Sequence, residues 1–197
     1  MKLKTIAVLI FLIAILNQSC IRETKEKITP EDKKQLKETA NDFMKSLKAV
    51  LVNEMQSKGI EAAVSVCSDT AQILTRNFGM DKNIVIKRVS FKNRNPENYP
   101  DINEGEILKK FEELHKQAEL LPTYEHIEKV TKNGKDFILY MKPIFVQPEC
   151  LSCHGKNDEI PASVKNIVRQ KYNNDKAVGF STGDLRGAVS VRKIISD

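Results

Sequence analysis

The chain has 197 residues, of which 41% are apolar and 29% charged, with a formal net charge of +6. That balance suits one globular domain and excludes a chain too polar to bury a core. Acids and bases are interspersed, as in EDKKQLKE and ILKKFEELHK, and no basic stripe carries interleaved aromatics, so nucleic acid is not an expected partner.

The chain opens with Met1-Lys2-Leu3-Lys4, a short basic stretch, and then an unbroken apolar run from Ile6 to Leu16. A membrane-spanning helix needs about 20 apolar residues, so residues 1–19 read as a secretory signal peptide. Asn17-Gln18-Ser19-Cys20 puts a small residue before a cysteine and resembles a lipoprotein cleavage site, although Asn17 stands where an aliphatic residue is usual. The expectation is export, acylation of Cys20 and a periplasmic location on a membrane; an ordinary signal peptide cut nearby is the alternative. Residues 20–28 form a charged tether, and 29–197 a single domain.

Thr29-Pro30-Glu31-Asp32 supplies an N-cap, a proline at the first helical position and acids in the first turn. Leu36, Ala40, Phe43, Leu47, Val50 and Leu51 follow at helical spacing, predicting a helix to about Gln56 that Lys58-Gly59 ends. A second helix is expected from Ile60 to Asn77, with Cys67 in its apolar stripe between the small residues Ala63 and Ala71. Ile84–Phe91 is rich in β-branched residues and reads as a strand. Residues 92–101, KNRNPENYPD, read as a loop. Asn103 or Asp101 caps a third helix whose stripe is Ile107, Phe111, Leu114, Ala118 and Leu121. Thr123–Val130 and Asp136–Val146 are expected strands joined across Asn133-Gly134, a strong hairpin signal. Residues 148–154 follow as a loop, Pro161–Tyr172 as a short helix, and Gly187–Ile195 as a closing strand. The class is α+β: an antiparallel sheet with helices at one side.

Chemistry concentrates in Cys150-Leu-Ser-Cys153-His154. C-x-x-C-H reads as a c-type haem attachment site, with two thioether bonds to one haem and His154 on the iron. Two other readings compete. A structural zinc site would need four ligands, which Cys150, Cys153, His154 and Cys67 could supply. A redox dithiol of the thioredoxin kind normally opens a helix in a βαβ unit, whereas this motif follows a long strand and a proline. The export signal favours haem, and an aromatic content of only 6% without tryptophan leaves core volume that a large flat group would fill.

The iron's other face needs a ligand, which shapes the potential and decides whether a gas binds. The candidates are Cys67, His115, His126, Met44, Met55, Met80 and Met141. Once Cys20 takes lipid and Cys150 and Cys153 take haem, Cys67 is the one thiol left over, in a stripe flanked by alanines. His115 and His126 read more simply as surface residues, and the methionines as core filler, with Met141 the best of them. Arg94 in the Asn-Pro loop and Arg186 in GDLRG are candidates to pair with haem propionates, with Arg88 behind them.

Four co-linear segments resemble one family: EAAVSVCSDTA (61–71), KRVSFKNRNPENYPD (87–101), YMKPIFVQPECLSCHG (140–155) and GFSTGDLRGAVSV (179–191). These resemble the PAS-like c-type haem domains found in bacteria as small exported proteins or as sensor regions of signalling receptors. The resemblance implies a PAS-like antiparallel sheet with N-terminal helices, one covalent haem, and a cysteine at the position of Cys67. The resulting expectation is an exported monohaem cytochrome with His/Cys ligation that carries single electrons to a redox partner. The alternative is a haem-based redox or gas sensor that signals to a separate protein. An enzyme is the least favoured reading, because no further acid–base or nucleophile constellation is visible.

Overall fold

The computed structural model describes residues 27–66, 71–79 and 83–195. The leader, Cys20 with most of the tether, Cys67 and Met80 lie outside these residues.

Helix α1 spans Pro30–Lys58. Its start is set by a reciprocal cap: Asp32 N donates to Thr29 Oγ1, and Thr29 N donates to Asp32 Oδ2, each at 3.0 Å. Gly59, with φ +88°, ends it. The expected second helix is described as two pieces, α2 (Ile60–Ser65) and α3 (Ala71–Gly79). Strand β1 (Ile84–Val89) follows, then a single 3₁₀ turn at Pro96–Asn98 inside the expected loop. Helix α4 (Ile102–Lys116) is capped by Asp101 in a second reciprocal box with Glu104. It stops short of Leu121, which is exposed. Strands β2 (His126–Lys132) and β3 (Lys135–Phe145) turn at Asn133 and Gly134, both at positive φ, as that pair of residues demands. Helix α5 (Leu151–His154), α6 (Ala162–Lys171) and strand β4 (Leu185–Ile194) complete the chain.

The four strands form one antiparallel sheet in the order β1-β4-β3-β2. This is the α+β class with a PAS-like arrangement. The helices do not lie on one side only, as expected; they cover both faces. Ile84, Ile86, Ile138, Tyr140, Val189 and Val191 meet Leu36, Ala40, Phe43 and Leu47 of α1. Leu139, Met141 and Ala188 face the other way, onto Ile107, Leu108 and Phe111 of α4. The physical reason is visible in β3 and β4: FILYM is apolar at successive positions, and GAVSV is small or apolar except at Ser190, whose hydroxyl is bonded to Glu104, as strands buried on both faces are.

A charged network ties α4 to the sheet. The Glu104 carboxylate is fully buried. It lies 2.7 Å from Lys87 Nζ of β1 and 3.3 Å from Arg192 Nη2 of β4, and accepts from Ser190 Oγ at 2.7 Å. Asp101 joins through Arg192 at 2.6 Å and Lys132 at 2.8 Å.

Two predictions follow from these ties. Glu104→Ala removes the carboxylate shared by Lys87, Ser190 and Arg192, leaves Arg192 with Asp101 alone among the described residues, and should cost about 3–5 kcal/mol as a broken buried pair does, read from urea unfolding. The second concerns acid. Hydrogen bonds from Lys193 and Thr29 hold the Asp32 carboxyl down at about 2. Its folded value is lower than its unfolded value, so its contribution is present above the usual carboxylate range and is lost as pH falls towards 2. Asp32→Asn should flatten the decline in the urea midpoint between roughly pH 4 and pH 2.

Candidate functional site

The second half of α1 leaves the sheet gradually: Met44 and Leu47 still pack against the sheet core. Met44, Leu47, Leu51 and Met55 form one wall of a cleft of about 250 Å³, and Val64 and Val66 continue it. The opposite wall comes from the ends of β1, β3 and β4, with Arg88, Val89, Ile144, Phe145, Arg186 and Gly187. Cys150, Cys153 and His154 line the same cleft.

The motif is not the loop expected from sequence. Pro148–Cys150 makes a 3₁₀ turn, which runs into the single helical turn α5. Pro148 presets the first backbone angle, and no glycine or proline interrupts the turn until Gly155. Residues three apart on a helical turn share a face, so the spacing presents both thiols together. Cys150 and Cys153 are not joined in a disulfide.

Backbone pairing holds the exit of the motif. Phe180 N donates to His154 O at 3.0 Å, and Gly179 N to Gly155 O at 2.8 Å. His154 Nδ1 lies 2.7 Å from Ala177 O. A carbonyl has no proton to give, so Nδ1 carries the hydrogen and Nε2 is the unprotonated nitrogen of the neutral ring. Burial, then the positive charges of Arg186 and Arg94, push the imidazole well below its usual value, outweighing the bond to Ala177. Histidine in that form is a metal ligand.

The cleft is strongly cationic. Arg88, Arg94 and Arg186 all line it. Burial first, then Arg94 and Arg88, push the Arg186 guanidinium down to about 10. Arg186 Nη1 donates to Lys92 O at 2.9 Å and Ser90 Oγ at 3.1 Å, and its guanidinium sits 5.2 Å from the centre of the Phe180 ring. Arg94 Nη2 is bound to the Cys153 carbonyl and to Asp175, while its Nε is buried without a hydrogen-bond partner.

These features fit a large, flat, apolar group with carboxylates at one edge. Among the described residues, no three His, Cys, Asp or Glu side chains converge on one point as ligands of a single ion. Cys150, Cys153 and His154 line the cleft together with the aliphatic and thioether side chains of α1 and three arginines.

The other sequence candidates separate clearly. Arg94, Arg186 and Arg88 reach the cleft. Met141, favoured among the methionines, does not: it is fully buried between β3 and α4, because its position in β3 faces away from α1. His126 Nε2 lies 3.2 Å from a Glu128 carboxylate oxygen, and the His115 ring is tilted against that of Phe145 with 5.8 Å between centres; neither histidine lines the cleft. Met44 and Met55, treated as core filler, do line it. Their spacing on the α1 stripe was the available signal, since eleven residues is about three helical turns. Nothing in the local sequence marked Asp175 or Ala177.

A sequence model of the Tll0287-like family matches residues 18–193. The chain therefore belongs to the Tll0287-like family, in agreement with the resemblance carried by the four segments. The crystal structure of the cyanobacterial haem-protein Tll0287 is similar to this fold with a TM-score of 0.65. The two share 22% identity over 86% of this chain and 99% of that chain. No curated protein matches.

The motif's exit can be tested at Gly155. Its N–H bonds to Leu151 O at 2.8 Å, and an added Cβ would meet that same oxygen at 2.6 Å. Gly155→Ala must push the turn open, and should cost about 1–3 kcal/mol in urea unfolding, as overpacking does.

Proposed function

We propose that this member of the Tll0287-like family is a monohaem c-type cytochrome that carries single electrons. Cys150 and Cys153 would hold the haem by thioether bonds, and His154 would bind its iron. The observation that carries this reading is the His154 ring: its hydrogen is committed to Ala177, leaving Nε2 unprotonated on a side chain that lines the same cleft as both thiols. The related cyanobacterial structure is described as that of a haem-protein, which supports the same class. When bound, the haem supplies a one-electron ferric/ferrous couple.

The chain's own residues set the conditions for that couple. The aliphatic wall from Met44 to Val66 excludes water and lowers the local dielectric. The guanidinium groups of Arg186 and Arg88 offer charge to propionates, and Arg94 offers its buried Nε. Cys67 is proposed as the second axial ligand. It follows Val66 directly in the chain, and Val66 lines the cleft. A thiolate there would favour the ferric state and lower the potential. Export through residues 1–19 and acylation of Cys20 belong to the same proposal, since they would bring the chain to a periplasmic membrane surface and a redox partner there.

The purified protein should hold haem that acid–acetone does not extract, with a c-type pyridine haemochrome; zinc in place of iron by elemental analysis would sink the reading. Cys67→Ala should convert a low-spin thiolate ferric spectrum to a high-spin or water-ligated one. The midpoint potential should rise, and about 60 mV corresponds to a tenfold change for one electron. Met141→Leu and His126→Gln should leave the spectrum nearly unchanged. Wild-type protein that takes up CO on reduction would favour the sensor over the carrier.

A further inference from the structure

Residues 93–95 and 173–178 lie far from the C-x-x-C-H motif in the chain, yet they meet directly behind its turn. Lys176 N donates to Asn93 O at 3.1 Å, which lays one segment along the other. Arg94, the next residue, is nearly buried, as is its partner Asp175. Arg94 Nη2 donates to the Cys153 carbonyl at 2.7 Å and to Asp175 Oδ2 at 3.0 Å, with a longer approach to the Ala177 carbonyl at 3.5 Å. The second Asp175 oxygen, Oδ1, accepts from Ala177 N at 2.9 Å. The carbonyl of that same Ala177 receives the His154 Nδ1 hydrogen.

We infer that Arg94 and Asp175 form a clamp that fixes the orientation and hydrogen bond of the His154 imidazole, and are positioning residues for the axial ligand. The inference rests on the haem reading above. It gives Arg94 a different main task from the propionate contact expected from sequence, because its Nη2 is already committed to the motif's own backbone. The chemistry needs these two residue types. Asp175 uses both oxygens for two different donors, and asparagine has only one acceptor oxygen. Arg94 bridges a carboxylate and a main-chain carbonyl through the N–H bonds of one nitrogen, Nη2, whose directions the rigid guanidinium plane fixes; the ammonium of lysine rotates freely on a flexible stem. The partner of a ligating histidine's far nitrogen sets its ring plane and its basicity. Here that partner is a main-chain carbonyl in a segment without helix or strand, so its position depends on what holds the Ala177 peptide.

The test uses the haem-loaded protein and the variants Asp175→Asn, Arg94→Gln, their double variant and Arg94→Lys. If the clamp positions the ring, all four loosen the bond to Nδ1. The midpoint potential then shifts upward in each, the double variant moves no further than the singles, and the ferric low-spin EPR signal broadens. Charge acting through space gives a different pattern: Asp175→Asn raises the potential, Arg94→Gln lowers it, the double variant cancels and Arg94→Lys is silent. That pattern, or unchanged potentials and EPR signals, overturns the inference. Pyridine haemochrome per chain is measured on every sample, and a variant with less haem is judged on its loaded fraction by the same criteria. Wild-type protein with no haemochrome at all would overturn the haem reading itself, and this inference with it.

Discussion

One hydrogen bond, from His154 Nδ1 to the Ala177 carbonyl, orders the chemistry of this protein. Because the acceptor can only accept, the bond settles where the ring hydrogen sits and leaves Nε2 with its lone pair. The surrounding charge acts in the same direction. Arg186 and Arg94 oppose any positive charge on the imidazole, and burial opposes it more strongly still. A histidine in such a place is held neutral, in one tautomer, before any ligand arrives. That is pre-organisation of the kind a metal-binding side chain requires.

The rest of the architecture keeps that bond in place and opens a cleft beside it. The motif is pinned behind by Phe180, Gly179 and Arg94, three contacts from two distant parts of the chain. In front, α1 changes task along its length. Leu36, Ala40 and Phe43 are core, Leu51 and Met55 belong to the cleft wall, and Met44 and Leu47 serve both. Gly187 lets β4 pass close to β1 where the sheet meets the cleft: its φ is +147°, and a Cβ there would lie 2.2 Å from the Val89 carbonyl. The register between β3 and β4 also shifts at Ile144 and Phe145, both in the wall. Irregularity in the sheet is thus concentrated where the cleft needs shape.

On the far face the sheet is held by charge as well as by apolar contact. Glu104 pairs with Lys87 and Arg192, and Asp101 with Arg192, in a charged network between α4, β1 and β4 in which Arg192 Nε is buried without a hydrogen-bond partner. Burying such groups costs desolvation free energy, which the network offsets through shared partners, as where Glu104 and Asp101 both meet Arg192. The result is a sheet anchored under α4 on one face and under α1 on the other, with the ends of β1, β3 and β4 left to line the cleft.

Much of this was legible in the sequence, and the legible parts share a property: their causes lie within a few residues. Thr29-Pro30 announced one helix start, Asn103 or Asp101 a second, and Asn133-Gly134 a hairpin through its positive φ angles; C-x-x-C-H was legible as a motif, but as a loop and not as the helical turn it forms. The burial of strands on both faces was also written in FILYM and GAVSV, but a short apolar run does not say what covers it. What only the tertiary structure decided depends on which surfaces meet. Met141 and Met44 are both methionines on apolar stripes, yet one is sealed under α4 and the other lines the cleft. Arg94 is a loop cation by sequence, and becomes a tie to Cys153 and Asp175 only because residues 59 and 81 positions away come to it. Caps and turns are set by local backbone geometry, whereas the partners of a side chain are set by long-range packing, which no short stretch of sequence contains.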